Sequence, residues 1–154
     1  MKRYYIAFAT AAAAALTFAA VAFAQSGHFV GTPTCTDAGT TVSCSGKVAG
    51  LGGTTFEIRV SATGTASVTC TNPAGNVAPG QSFTATETGS GGPQPTPRNG
   101  QASFSVSTTA PVAPAGSCPN PKWTATVSDV SFTTATITLL EDNVVSDTIT
   151  VPVN

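Results

Sequence analysis

The sequence contains few charged residues, and basic ones are scarcer than acidic ones. Only 8% of its 154 residues are Asp, Glu, Lys or Arg, and six of these are basic. Lys2 and Arg3 belong to an N-terminal segment that we expect to be removed, which leaves four basic residues against seven acidic ones. Proteins that bind nucleic acid neutralise phosphates with clusters of basic side chains. We therefore predict that nucleic acid is not a partner.

Residue types that usually carry catalysis are also scarce. His28 is the only histidine, and no acidic residue lies near it in the sequence. The G-x-S-x-G motif of a nucleophilic serine is missing. Glu57 is expected on an outward strand face and Glu87 near a strand end, whereas glycoside hydrolysis by paired carboxylates needs two acids in one cleft. We predict no catalytic residue, no enzymatic activity and no cofactor.

The N-terminus has the three parts of a secretory signal peptide. Lys2 and Arg3 precede an uncharged apolar run over residues 4–23, and the segment ends in Ala22-Phe23-Ala24. An uncleaved membrane anchor is the alternative, because a run of about 20 apolar residues is just long enough to span a bilayer. We predict a signal peptide over residues 1–24, a single domain over residues 25–154, and no stable membrane span after cleavage.

All four cysteines of the chain follow the predicted cleavage point: Cys35, Cys44, Cys70 and Cys118. An even number of cysteines in an exported chain normally forms disulfides. Residues 35–44 are symmetric about Gly39-Thr40, and glycine at the first central position suits a two-residue hairpin turn of type II′. This register places Cys35 opposite Cys44 at a non-hydrogen-bonded pair, where Cα atoms are closest. We predict a Cys35–Cys44 disulfide from the register and a Cys70–Cys118 disulfide by elimination.

Alternation of apolar and polar residues predicts a series of short β-strands. The mature part is rich in Thr and Val, which suit a pleated, half-buried surface. The predicted strands cover residues 55–62, 65–71, 81–88, 101–109, 123–130, 132–140 and 144–151. A Thr63-Gly64 turn is expected between the first two. The pattern favours an all-β fold, an immunoglobulin-like antiparallel β-sandwich with two disulfides, and a small β-barrel is the alternative.

Aromatic residues that bind sugars are nearly missing from the mature part. Carbohydrate sites commonly stack exposed Trp or Tyr rings against a sugar, but Trp123 is the only tryptophan and no tyrosine follows residue 5. Four phenylalanines lie in the apolar phase of predicted strands: Phe56, Phe83, Phe104 and Phe132. We expect Trp123 to be the central packing residue of the sandwich, and it is also the one candidate for a ligand contact.

One acidic cluster occurs at the turn before the last predicted strand. It consists of Glu141, Asp142 and Asp147. Carboxylate oxygens are good calcium ligands, but this spacing does not match an EF-hand loop. We expect a polar hairpin turn here and no metal, and a calcium site at these three residues is the alternative.

Four short motifs follow one another along residues 45–140. They are Gly50-Leu51-Gly52, Cys70-Thr71-Asn72, Arg98-Asn99-Gly100 and Cys118-Pro119. Together they resemble a group of short exported bacterial proteins of uncharacterised function. The resemblance implies export and a β-rich fold, and it associates only Cys70 and Cys118 with the group. It implies no activity and no catalytic residue.

These observations favour a secreted or cell-surface module without catalytic activity that acts through contacts with a protein or a cell-envelope component. A glycan-binding module is the alternative, and an exposed Trp123 beside polar groups in a groove would favour it. An extracellular hydrolase is a third hypothesis, which requires His28 with a partner, or two acids, in one pocket.

Overall fold

A computed structural model describes residues 26–154 of the chain. The predicted signal peptide, residues 1–24, lies outside the described residues. Within residues 26–154 the chain forms ten β-strands and no helix. Accordingly, this part of the chain offers no apolar helix of membrane-spanning length.

The strands follow one another with short connections. Their bounds are β1 (His28–Phe29), β2 (Thr34–Asp37), β3 (Val42–Ala49), β4 (Thr55–Thr71), β5 (Val77–Pro79), β6 (Phe83–Ser90), β7 (Gln94–Pro95), β8 (Ala102–Ser107), β9 (Thr124–Glu141) and β10 (Val144–Pro152).

The ten strands form two antiparallel sheets. In the smaller sheet, β8 pairs with one edge of β3, and β2 and β1 share the other edge. In the larger sheet the order is β10-β9-β4, and β5, β6 and β7 pair with the far edge of β4. One apolar core lies between the sheets, with Val42 and Val48 from the smaller sheet and Val60 and Ile137 from the larger one.

The predicted fold class is therefore confirmed. The described chain is all-β with antiparallel sheets and two disulfides. The alternative of a small β-barrel is wrong, because the sheets are not closed. The immunoglobulin-like type within the class stays a prediction.

Strands β4 and β9 pair over their whole length and form the central ribbon of the larger sheet. The register runs from Phe56 opposite Glu141 to Thr71 opposite Thr124, about 50 Å at ~3.3 Å per residue. The predicted Thr63-Gly64 turn is wrong, because β4 continues through it. The predicted division of residues 123–140 into two strands is also wrong, because β9 is continuous from Thr124.

Gly64 permits close contact between these two strands. The register shifts at Thr63/Gly64 and again at Ser67/Val68, since an extra residue in one strand of a pair forms a β-bulge. A Cβ atom at Gly64 would lie 2.7 Å from the carbonyl oxygen of Ser131 and 2.8 Å from Cγ1 of Val130. Glycine inside a strand often marks such an approach of two backbones. Gly64 therefore allows β4 and β9 to remain paired across the register shift.

The loop between β8 and β9 covers the end of the ribbon that lies outside the main core. Val68 and Cys70 are buried there without belonging to the core cluster. Cys118 of the loop bonds to Cys70, and the amide of Gln81 donates to the carbonyl of Ser117 at 2.8 Å. The loop thus buries apolar positions of β4 that the smaller sheet does not reach.

Both predicted disulfides are present, Cys35–Cys44 and Cys70–Cys118. The hairpin register that led to the first is confirmed, with Cys35 directly opposite Cys44. Gly39 has a φ of 87°, which favours glycine, and the amide of Ala38 donates to the carbonyl of Thr41 at 2.9 Å. The second disulfide spans 48 residues, a loop for which chain entropy predicts a stabilisation of about 4 kcal/mol.

The last two residues connect the larger sheet to the smaller one. Val153 donates its amide to the carbonyl of Thr133 in β9 at 3.0 Å. Asn154 donates to the carbonyl of Cys35 at 3.0 Å, and the amide of Asp37 donates to the carbonyl of Asn154 at 2.9 Å. This segment therefore occupies part of the outer edge of β2.

We predict that Gly64→Ala lowers the free energy of unfolding by about 1 to 3 kcal/mol, because the added methyl group has no room between β4 and β9. Urea denaturation of the oxidised protein measures the change. Gly91→Ala is the matched control, since a Cβ atom there meets its nearest neighbour, Cγ2 of Val106, at 3.4 Å; we expect a change within about 0.5 kcal/mol. Equal stability of the two variants would contradict the role assigned to Gly64.

Candidate functional site

The outward face of the larger sheet carries a groove of about 620 Å³, which we call the outer groove. Its floor consists of outward side chains from β4, β6, β9 and β10. The lining residues used below are Arg59, Ser61, Thr88, Thr138, Leu140 and Val145. Strand pairing brings them together, because Ser61 lies opposite both Thr88 and Thr136, and Arg59 opposite Thr138. No lining residue is an acid, a histidine or a cysteine.

An ion pair fixes the one charged side chain of the outer groove. Arg59 donates from Nε to Oε1 of Glu57 at 2.8 Å and from a terminal nitrogen to Oε2 at 2.9 Å. The hydroxyl of Ser90 donates a further hydrogen bond to Oε1 of Glu57 at 2.6 Å. The Glu57 side chain is 9% exposed and that of Arg59 is 53% exposed. Hydrogen bonds from Arg59 and Ser90 lower the pKa of Glu57, so the carboxylate stays charged and holds the guanidinium at the groove.

Glu57 lies in the outward phase of β4, as predicted, but it is buried. The sequence did not indicate the reason, which is the forked pair with Arg59. Residues two apart on a strand share a face, so opposite charges at these positions were the available signal.

The outer groove also offers hydroxyl groups that no residue of the described chain bonds. Thr136 is bonded to Thr150 at 3.2 Å. By contrast, no described residue forms a hydrogen bond with the hydroxyls of Ser61, Thr88 or Thr138. Such hydroxyls can donate and accept hydrogen bonds. Val145, which is 58% exposed, places apolar surface beside them, and Leu140 is buried beneath the groove.

Trp123 does not pack in the core, so the prediction that it is the central packing residue is wrong. It precedes β9 and is partly exposed, outside the core cluster. It lines a second groove of about 350 Å³, the Trp123 groove, together with Pro114, Cys118, Asn120 and Ala125. The physical reason is its place in the fold, because the main core lies at the other end of the ribbon. Its role as a ligand contact stays a prediction.

The predicted acidic cluster binds backbone. Glu141 is fully buried and accepts amide hydrogen bonds from Gly27 at 2.9 Å, Gly52 at 2.6 Å and Gly53 at 3.1 Å, and a hydroxyl bond from Ser146 at 2.7 Å. These bonds attach both the start of the described chain and the loop before β4 to the end of β9.

The other two acids of the cluster hold neighbouring segments. Asp142 accepts amide bonds from Thr54 at 3.0 Å and Thr55 at 2.9 Å, and Asp147 accepts one from Phe29 at 3.0 Å. In residues 26–154 there is no group of three or more His, Cys, Asp or Glu side chains that could hold a metal ion. The arrangement gives the calcium alternative no support.

These bonds alter the proton affinity of two acids. Burial raises the pKa of Glu141, but the hydrogen bonds from Ser146, Gly52, Gly53 and Gly27 outweigh it, so the pKa lies below its ordinary value. The Thr54 hydroxyl, with the amides of Thr55 and Thr54, lowers the pKa of Asp142 to about 2. Both acids are therefore charged at neutral pH, and their bonds depend on that charge.

His28 lies away from both grooves. Its Nδ1 is 3.0 Å from the carbonyl oxygen of Ser26, and the side chain is exposed. It forms no hydrogen bond with an acid among the described residues. The structure thus does not bring His28 together with the residues that a Ser-His-Asp site would need.

The chain matches no known protein family, no curated protein and no solved structure to which it was compared. Its resemblance to short exported bacterial proteins stays a prediction, and the geometry of the two grooves is the evidence on function.

We predict that acid destabilises the protein through Glu141 and Asp142. Their pKa values are depressed in the folded state, so their stabilisation is complete above the pKa of the unfolded chain, about 4, and is lost as the pH falls toward about 2. Urea denaturation at a series of pH values measures the free energy of unfolding. This free energy should fall more steeply with decreasing pH for the wild type than for Glu141→Gln.

Asp129→Asn is the control for this experiment, because Asp129 is exposed and forms no side-chain hydrogen bond with a described residue. The free energy of unfolding of this variant should depend on pH as steeply as that of the wild type. If Glu141→Gln also kept that dependence on pH, the proposed role of the buried carboxylate would be wrong.

Proposed function

We propose that the protein is a secreted, non-catalytic binding module that contacts a protein or cell-envelope component through the outer groove. The observation that carries the proposal is the outer groove itself. It combines apolar surface, free hydroxyls and one fixed guanidinium, the mixture typical of binding pockets. It lies on the outward face of the larger sheet, and Thr109 of the loop between β8 and β9 also lines it.

Export is supported by two independent features. The N-terminal residues have the layout of a signal peptide, and all four cysteines form disulfides. Disulfides persist in oxidising compartments and are rare in the cytosol. Both features favour a protein that works outside the cell or at its surface.

The residues of the outer groove favour binding over catalysis. Hydrolysis at neutral pH commonly uses a histidine, a cysteine or a pair of acids as base or nucleophile. The groove lining contains none of these, and Glu57 is already held by Arg59 and Ser90.

A variant whose side chain fills the outer groove tests this proposal. Oxidised protein comprising residues 25–154 should be retained by cell-envelope preparations of the source cells. Thr136→Arg places a long side chain in the outer groove and should weaken retention at least about tenfold, a free-energy change of about 1.4 kcal/mol. Thr126→Arg is the matched control, because Thr126 is exposed on β9 outside the groove.

Circular dichroism and intact disulfides must show that both variants are folded. Retention of Thr136→Arg at the wild-type level, or no retention of the wild type, would refute the proposal.

A glycan-binding module that uses the Trp123 groove is a second candidate function. The observation that favours it is the partial exposure of Trp123 beside Asn120 in that groove. A partly exposed indole still provides a flat surface for a sugar ring, and a neighbouring amide can form hydrogen bonds with the hydroxyls of the sugar.

The single tryptophan permits a direct test of this second candidate. Because Trp123 is the only tryptophan, its fluorescence reports on the Trp123 groove alone. Titration with soluble galactomannan or hydroxyethylcellulose should shift the emission in a saturable way. In affinity gel electrophoresis, Trp123→Ala should lose retardation by the same polymer, and Lys122→Ala, the exposed neighbour, should keep it. Retardation that survives Trp123→Ala would exclude this groove.

A further inference from the structure

We propose that the outer groove takes an uncharged carbohydrate and recognises neighbouring hydroxyl groups on its sugar rings. This inference rests on the proposed function and names the class of ligand for that site. Its basis is the combination in the groove of a neutralised guanidinium, three hydroxyls that no described residue bonds, and the exposed apolar side chain of Val145.

The guanidinium of Arg59 is held in one orientation and still has donors to offer. Arginine carries five N–H donors in a planar fork. Two of its nitrogens bind the two oxygens of Glu57, and the side chain is 53% exposed. The remaining N–H groups are therefore available to oxygen atoms of a ligand, with little further loss of side-chain freedom on binding.

The free hydroxyls supply hydrogen-bond acceptors, which the guanidinium lacks. Ser61, Thr88 and Thr138 lie on three adjacent strands, which are spaced about 4.8 Å apart. Each hydroxyl can accept as well as donate a hydrogen bond. A sugar presents neighbouring hydroxyls that also donate and accept, so the two sets are chemically complementary. The exposed apolar surface of Val145 suits the C–H face of a sugar ring.

The charge of the site favours a neutral ligand. Arg59 is the only charged residue that lines the groove, and its charge is balanced by Glu57 at 2.8 Å. A ligand anion that approached Arg59 would also approach the Glu57 carboxylate. An uncharged polymer avoids this repulsion. Its hydroxyls can still form hydrogen bonds with the Arg59 guanidinium and with the free hydroxyls of the groove.

The position of the groove favours carbohydrate over an extended peptide. A peptide strand is usually bound by backbone hydrogen bonds at the open edge of a sheet. The outer groove lies on the face of the sheet, where β4 is paired on both edges, with β9 on one and β6 on the other. Recognition there depends on side-chain hydroxyls and the guanidinium.

Chemical treatment of the envelope preparation tests the ligand class. Periodate cleaves the bond between two carbons that carry neighbouring hydroxyls, and protease removes proteins. We expect oxidised protein of residues 25–154 to bind untreated and protease-treated envelope but not periodate-treated envelope. Binding should persist in about 1 M salt, which screens charged contacts.

A pair of isosteric variants locates the contact. Thr138→Val removes one hydroxyl of the outer groove and keeps the shape of the side chain, so we expect about 3- to 10-fold weaker binding, equivalent to one neutral hydrogen bond. Thr134→Val is the control, because Thr134 is exposed on the same strand but does not line the groove, and it should bind as the wild type does.

Each other outcome has a definite meaning. Binding that is lost after protease but survives periodate would overturn the carbohydrate inference and leave the proposed function standing. Loss by periodate with equal binding of the two variants would place the sugar elsewhere and overturn the inference. Loss in high salt would indicate a charged ligand and also overturn it. If the wild type binds no fraction, both the inference and the proposed function fail.

Discussion

The pairing of β4 with β9 determines the rest of the structure. These two strands are much longer than those of the smaller sheet, so a sandwich forms over only part of the ribbon. The remaining apolar positions of β4, among them Val68 and Cys70, need another cover. The loop between β8 and β9 provides it, and the Cys70–Cys118 disulfide keeps that loop in place. The same pairing creates a wide outward face, on which β4, β6, β9 and β10 bring the groups of the outer groove together.

Acidic side chains connect the loops to this ribbon. The end of β9 is followed by Asp142 and Asn143, both with positive φ, which is the backbone that a tight two-residue hairpin requires. Glu141 and Asp142 then accept hydrogen bonds from the loop before β4. A chain with so few charges therefore uses three of its seven acids, Glu141, Asp142 and Asp147, to hold backbone that is distant in sequence. A fourth acid, Glu57, fixes Arg59.

Local patterns predicted the parts of the fold that depend on neighbouring residues. The symmetry of residues 35–44 was enough for the hairpin register, and alternation along residues 55–62 placed Phe56 in the apolar phase of its strand, where it is buried. Gly64 was misread as a turn because the close approach of β9 that requires glycine comes from residues far along the chain.

The same limit applies to the candidate site. The partners of Glu141 at Gly27 and Gly52 lie 114 and 89 positions away, so no local pattern indicates its burial. The hydroxyls of the outer groove come from three strands, and only their register shows that they are neighbours. The exposure of Trp123 follows from how far the smaller sheet extends, a property of the assembled sandwich.

The segment formed by Val153 and Asn154 has a consequence for association between molecules. An open strand edge is a template on which the backbone of a second chain can add and start an aggregate. Asn154 donates to and accepts from the outer edge of β2, so part of that template is already occupied from within the molecule. The fold thereby protects part of one of its own edges against growth into larger assemblies.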